Sequence, residues 1–290
     1  MRARALLAAA ALVALVGSPV SGRDQLIVTW RPAHPRIGDV AWIHVRGAPD
    51  GAVIEGSAGD RTLTFFPYAE GQAALLGIDV TATPGTWTWR IATLETDRPP
   101  TIVMGRLRVA PRKFPVQRLT VPARMADLDP ETEKRAEAEA RQLTLLSRTI
   151  TPERLWRGRF VRPVGGPERG SGFGARRVIN GTPRMPHTGT DYPVPAGTPV
   201  VAANSGRIAL TGDFFFPGRL VAVDHGLGVY TLYFHLETVA VAPGDYVERG
   251  QTLGTVGATG RATGPHLHFG AQVGGARVDP AALLALRVLD

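Results

Sequence analysis

Three short motifs carry the residues of this chain that could do chemistry. His187-Thr188-Gly189-Thr190-Asp191 is an HxxxD, Gly264-Pro265-His266-Leu267-His268-Phe269 contains an HxH, and Tyr233-Phe234-His235-Leu236 lies between them. The chain has seven histidines, and five fall between positions 187 and 268. Imidazole is the commonest protein ligand for metals, and a catalytic zinc takes three protein ligands and leaves one position open. The motifs supply enough ligands for one such site, with two histidines left over for proton transfer. A lone HxxxD or a lone HxH arises by chance in many chains. Their joint occurrence in one glycine-rich, β-type stretch is far less accidental.

Strand geometry sorts these residues. Residues i, i+2 and i+4 of a strand point to one face. An extended chain therefore puts His266 and His268 on one face, with Leu267 and Phe269 on the other, and lets His187 and Asp191 share a face. From Val229 to Leu236, alternation predicts Leu232, Phe234 and Leu236 on one side and Thr231, Tyr233 and His235 on the other. Each segment offers an apolar face to a core and a polar face bearing ligand-type residues. Spacing alone does not say which histidine of the HxH binds metal. His225 precedes a turn at Gly226 and is expected to stay outside the chemistry, and Asp213, Asp224 and Asp245 read as turn residues. His34 and His44 are isolated and read as surface or packed histidines.

The elements that must position these residues are short strands. Candidates are Gly206–Thr211, Arg219–Asp224, Val229–Leu236, Asp245–Val247, Thr252–Val256 and His266–Val273, separated by glycine turns that tolerate positive φ. Asp279 is placed to cap a short terminal helix over Pro280–Leu286. A second strand-rich region runs from Gln25 to Pro111, with candidates Gln25–Trp30, Val40–Val45, Thr62–Phe66, Leu76–Ala82, Thr86–Ala92 and Thr101–Val109. Turn clusters at Ala48-Pro49-Asp50-Gly51 and Thr83-Pro84-Gly85 punctuate it, which suggests an immunoglobulin-like β-sandwich. Between the two regions, Asp129 and Pro130 are favoured at the start of a helix over Glu131–Ser147. Its charged face is either solvated or docked on the domain that follows. The expected fold is mainly β, with a signal peptide at 1–22, a sandwich at 23–111, a linker with a helix at 112–159 and an antiparallel β domain at 160–290.

The stretch from Phe160 to Leu284 resembles the lysostaphin-type (LytM-like) zinc endopeptidases of peptidoglycan. The matching text includes Ser171-Gly172-Phe173-Gly174, Arg176-Arg177, His187-x-Gly-x-Asp191, Pro195-Ala-Gly-Thr-Pro-Val200 and Ala203-Asn-Ser-Gly206. It continues through Asp224-His225-Gly226, Tyr233-x-His235-Leu236, Gly257-x-Thr-Gly260 and Thr263-Gly-Pro-His266-Leu-His268-Phe269. The resemblance implies a LytM-like catalytic domain in which His187, Asp191 and His268 bind one Zn2+, while His235 and His266 are the unliganded catalytic pair. Zinc held this way would lower the pKa of a bound water to about 7. One of the two free imidazoles would then deprotonate or orient the water, and the other would assist the oxyanion or the leaving amine. His266, two residues from a ligand, is the better placed for the water. Arg176, Arg177 and Asn180 either read carboxylates of a wall peptide or serve loop structure.

Composition and the chain ends agree with an envelope protein. Arg2 and Arg4, then the apolar run Ala5–Val16 and Gly17-Ser18-Pro19, read as a secretory leader too short to span a bilayer, with cleavage after Gly22. Export to the periplasm, the cell envelope or the exterior is expected, with no stable membrane insertion after cleavage. There is no cysteine, so disulfides and lipid-modified cysteines are excluded. The net charge is +8 and arginine greatly outnumbers lysine. Such a balance suits an anionic partner such as the cell wall. No basic helix or aromatic stacking platform points to nucleic acid. The expected function is a zinc metalloendopeptidase acting, as a monomer, on peptidoglycan cross-links. The alternative is an inactive wall-binding protein or an activator of another cell-wall hydrolase.

Overall fold

The computed structural model describes residues 26–96, 98–122, 128–166 and 170–287. The leader expected at 1–22 lies outside the described residues. The described residues fall into two compact units: one holds 26–36, 41–76 and 83–111, and the other holds 37–40, 77–82 and those from 112 onward. Among the described residues, no helix is long and apolar enough to cross a membrane.

The first unit contains β1 (Ile27–Arg31), β2 (Val40–Arg46), β3 (Val53–Ala58), β4 (Arg61–Leu63), β5 (Phe66–Pro67), β6 (Gln72–Gly77), β7 (Gly85–Glu95) and β8 (Arg98–Val109). They form two four-stranded sheets among the described residues, in the orders β1-β2-β6-β5 and β4-β3-β7-β8. That pairing reproduces the ABED and CFG sheets of an immunoglobulin-like sandwich, with β4 as an extra edge strand. Trp30 of one sheet meets Trp89 of the other with ring centroids 6.0 Å apart. Ile43 and Ile91 are fully buried in this core. The strand expected at Leu76–Ala82 ends at Gly77. Beyond it, the Asp79 carboxylate accepts from the Thr81 amide and hydroxyl at 2.9 and 2.6 Å, and such local bonds favour a turn over a ladder. The strand expected at Thr62–Phe66 divides into β4 and β5, which belong to different sheets.

The second unit adds β9 (Val116–Leu119), α1 (Pro130–Arg148), β10 (Arg176–Ile179), β11 (Thr182–Pro183), β12 (Gly189–Tyr192), β13 (Pro199–Val201) and β14 (Gly206–Phe214). It continues with β15 (Gly218–Asp224), β16 (Val229–Val239), β17 (Tyr246–Val247), β18 (Thr252–Val256), β19 (Leu267–Val273), β20 (Ala276–Val278) and α2 (Pro280–Leu284). The main sheet runs β12-β19-β16-β15-β14-β17, and a smaller sheet runs β11-β10-β9. One face of the main sheet is sealed by Tyr233, Phe269 and Val221, all at 0% exposure.

Both helices begin where their caps dictate. The Asp129 carboxylate accepts from the Glu131 and Thr132 amides, and that of Asp279 accepts from Ala281. The charged face of α1 is docked at two residues and otherwise largely exposed. Arg135 donates to the Asp213 carbonyl at 2.9 Å, and Glu139 accepts from the Phe215 amide at 2.7 Å. These bonds hold the hairpin between β14 and β15. The hairpin in turn carries the Pro217 carbonyl, which accepts from the His235 amide at 2.8 Å.

Candidate metal centre

Strand register brings the distant motifs together. In the β12–β19 ladder Asp191 lies directly opposite His268, and in the β16–β19 ladder Phe234 lies opposite the same histidine. Directly opposed residues share a sheet face, so Asp191, His268 and Phe234 are neighbours whatever their separation in sequence. Phe234 lies nearly parallel to His268, with ring centroids 5.2 Å apart and planes 9° apart. His187 precedes β12. Its amide donates to the Ala175 carbonyl, and its carbonyl accepts from Gly174. Asp191 is held at the backbone by a reciprocal pair of bonds with Ser171.

Three ligand atoms converge as a result. Nε2 of His187 lies 2.8 Å from Nδ1 of His268 and 3.1 Å from Oδ1 of Asp191, and the last two are 2.9 Å apart. Both imidazoles are buried, while Asp191 is partly exposed. Burial by itself would raise the Asp191 pKa. Hydrogen bonds from His187 and His268 instead hold it well below the ordinary carboxylate range. Burial lowers His268 to about 4 against the opposing pull of Asp191. The cluster is thus two imidazoles and one carboxylate, a donor set that could hold a metal ion.

His235 and His266 flank this cluster. Their ring centroids are 4.7 Å apart, and His235 is 6.1 Å from His268. Simple alternation would send His235 to the face of Thr231 and Tyr233, and this expectation is overturned. Between Arg219↔Leu236 and Val221↔Tyr233 the register shifts, so β16 carries one more residue than β15. His235 itself has φ +62. A bulge of this kind re-aims a side chain, here onto the face of Phe234 and His268. Tyr233 stays on the core face, against Phe269. His266 sits just outside β19, which begins at Leu267. Its Nε2 is 3.9 Å from Oδ1 of Asp191.

Each flanking imidazole has one nitrogen engaged by backbone. Nδ1–H of His235 donates to the Thr259 carbonyl and Nδ1–H of His266 to the Gly264 carbonyl, both at 2.8 Å. A carbonyl accepts only from a protonated ring nitrogen, so in the neutral form of either ring the lone pair lies on Nε2. Burial lowers His235 to about 3, with the charge of His268 acting in the same direction.

Other candidates fall elsewhere. His225 is fully buried, with Nδ1–H donated to the Ser205 carbonyl at 2.8 Å and Nε2 2.7 Å from Thr231 Oγ1. Burial pushes it down to about 4, and it is a neutral structural residue. Asn180 bonds the Val121 amide and carbonyl and so ties the segment after β9 to the end of β10. Asp224 accepts from Thr151 and from the Gly226 amide. His44 packs edge-on to Tyr68 in the first unit.

The motifs contained Phe234, Thr259 and the two glycines that make room for imidazoles but gave them no role. A Cβ at Gly189 would lie 2.5 Å from Nε2 of His268 and 2.6 Å from the Phe269 carbonyl oxygen. A Cβ at Gly172 would lie 2.6 Å from Nδ1 of His187. The glycines inside HxGxD and SGFG are the signals that could have found them. Gly189→Ala is expected to weaken metal affinity by about ten- to a hundredfold, the scale seen when a ligand's supporting contacts are disturbed. Titration with a chelator-buffered metal checks this, and wild-type affinity would refute it.

A small antiparallel β-sheet that presents a His-Asp-His cluster beside two unliganded histidines defines a metallopeptidase-type site. Residues 185–280 match the model of peptidase family M23. The crystal structure of a candidate M23 peptidase from Pseudomonas aeruginosa superposes with a TM-score of 0.68 at 32% identity, covering 86% of this chain and 95% of that one. The chain belongs to peptidase family M23. It is 43% identical over 100 residues to peptidoglycan DD-endopeptidase ShyA of Vibrio cholerae, a match covering 34% of this chain and 23% of that protein. It is 45% identical over 97 residues to DD-carboxypeptidase/endopeptidase Mpg of Neisseria meningitidis, covering 33% of this chain and 22% of the relative. These two matches span less than a quarter of either relative's length.

Proposed function

We propose that this protein is a zinc-dependent endopeptidase that hydrolyses peptide cross-links of bacterial peptidoglycan after export to the cell envelope. The observation that carries the proposal is the convergence of three ligand atoms within about 3 Å of one another, flanked by two imidazoles each anchored to a carbonyl through Nδ1. The residues fit a cation. A single proton can bridge only two of the three converging atoms, whereas one ion satisfies all three. Two imidazoles and a carboxylate are a donor set typical of catalytic zinc. His187, Asp191 and His268 would hold the ion. When bound, it supplies Lewis acidity that makes water a nucleophile near neutral pH and polarises a carbonyl.

The remaining roles belong to the chain. His266 takes the proton of the attacking water through Nε2, because that atom lies beside the metal cluster. His235, kept neutral by burial, is a poor base at neutral pH and serves by orientation. Its carbonyl-anchored ring holds Nε2 beside the metal cluster as an acceptor for the substrate amide or for the water. Phe234 screens one side of His268 from water, which strengthens the electrostatics of the cluster.

The relatives named as DD-endopeptidases favour a bond between D-alanine and a diamino acid over a glycyl-glycine bridge. The test is metal analysis of the purified full chain, together with mass spectrometry of digests of both kinds of cross-linked wall fragment. About one zinc per chain and cleavage at D-alanine, abolished by chelation and restored by zinc, are expected. A metal-free protein that binds wall without cutting it would replace this reading with that of a wall-binding protein or hydrolase activator.

A further inference from the structure

Helix α1 lies outside the residues that match the family model, yet it grips the turn on which His235 rests. That turn, Phe215-Phe216-Pro217, joins β14 to β15. Glu139 accepts from the Phe215 amide through Oε2 at 2.7 Å. Its Oε1 accepts from Nε of Arg135 at 2.7 Å, and Nη2 of Arg135 donates to the Asp213 carbonyl at 2.9 Å. One turn of helix thus holds the hairpin on both sides of Phe214. The Glu139 side chain is 15% exposed, whereas that of Glu137, which pairs with Arg141 along the helix, is 61% exposed. The chain leaving α1 is pinned near the other end of β15. There the Thr149 carbonyl accepts from the Tyr230 hydroxyl at 2.9 Å, and the Thr151 carbonyl from the Leu227 amide at 2.7 Å. The helix therefore splints β15 from end to end.

The turn meets His235 by two routes. The Pro217 carbonyl accepts from the His235 amide at 2.8 Å. Gly218 packs so closely on Thr259 that a Cβ there would lie 2.4 Å from Oγ1 of Thr259. That Oγ1 accepts from the Arg219 amide at 2.9 Å and donates to the Leu236 carbonyl at 2.8 Å. The Thr259 carbonyl in turn accepts from Nδ1–H of His235 at 2.8 Å. Backbone and ring of His235 are thus both referred to the β14–β15 turn. His235 has φ +62, a conformation that a non-glycine residue keeps only where its surroundings enforce it. We propose that Glu139 is a positioning residue for His235, acting through the Phe215-Phe216-Pro217 turn and Thr259. A carboxylate suits the task, because its bond to a backbone amide is charge-assisted and stronger than a neutral one. The effect on turnover rests on the endopeptidase reading above, whereas the ordering of the His235 ring does not.

The experiment compares the zinc-loaded full chain with its Glu139→Ala and Glu137→Ala variants. Zinc content is measured, with kcat and KM on a cross-linked wall fragment. Exchange of the His235 Nδ1–H proton with water is followed by NMR, and His235→Asn assigns that proton. Glu139→Ala is expected to speed the exchange and to lower kcat, each by about tenfold or more, since a small misplacement of a reacting group can cost about a hundredfold. KM and zinc content should stay at their wild-type values. Glu137→Ala removes a helix ion pair that does not touch the hairpin, and it should match the wild type throughout. Should Glu139→Ala fail to fold by circular dichroism, Arg135→Ala, which removes the second bond to the hairpin, carries the same comparison. Wild-type exchange or wild-type kcat in Glu139→Ala overturns the positioning role and leaves the endopeptidase reading intact. Equal losses in Glu137→Ala, or loss of zinc from Glu139→Ala, also overturn it, because helix stability or a disturbed metal cluster would then be the cause. A wild type that cleaves nothing removes the endopeptidase reading, and the exchange comparison by itself then decides the positioning role.

Discussion

His187→Ala, Asp191→Ala and His268→Ala are each expected to purify without metal and to lose hydrolysis entirely. Each removes one of only three converging ligand atoms, and three is the minimum for a catalytic zinc. The loss should exceed that of any neighbouring change, because altering a supporting contact costs only about ten- to a hundredfold. The sheet should survive in all three, since its core of Val221, Tyr233, Leu236 and Phe269 is packed independently of the site. Of the three, His187→Ala should cost the most stability, because its side chain is 1% exposed and a cavity replaces it. Elemental analysis after gel filtration, paired with circular dichroism, checks the set. A full equivalent of metal retained by any one of them would remove that residue from the coordination sphere.

Changing the flanking histidines should separate metal binding from turnover. His266→Ala and His235→Asn are expected to keep the metal and to lose hydrolysis by about a hundredfold or more, the usual contribution of an acid–base group. Asn is chosen at 235 because it tolerates the positive φ found there. The pH dependence distinguishes the two. The folded-state pKa of His235 is depressed to about 3, so its imidazole is neutral from pH 5 to 8 and carries no charge change in that window. His235→Asn should therefore lower the rate by the same factor at every pH from 5 to 8. Any acid limb of the wild-type profile should persist in this variant. Loss of metal from either variant would require the coordination sphere to be redrawn. A vanished acid limb in His235→Asn would return the proton-transfer role to His235.

How much of this was legible in the chain differs residue by residue. The caps Asp129 and Asp279 and the helices after them were readable because a capping bond is local. The longer strands of both units were largely readable from alternation and glycine punctuation, whereas β3, interrupted by Gly56, and the short β9 to β13 and β20 escaped. The motifs named the histidines and Asp191 because chemistry restricts residue types. Which of them meet was a matter of register, a pairing of segments about 80 residues apart that local pattern does not encode. Alternation placed His235 on the wrong face because one extra residue in β16 inverts the pattern beyond it, and a bulge shows itself only against a partner strand. The sequence by itself determined the fold class, the helix starts and the stock of metal-binding side chains, all properties of residue type and short-range geometry. Tertiary structure alone decided which atoms converge and which face carries His235, because both depend on strands pairing across long separations.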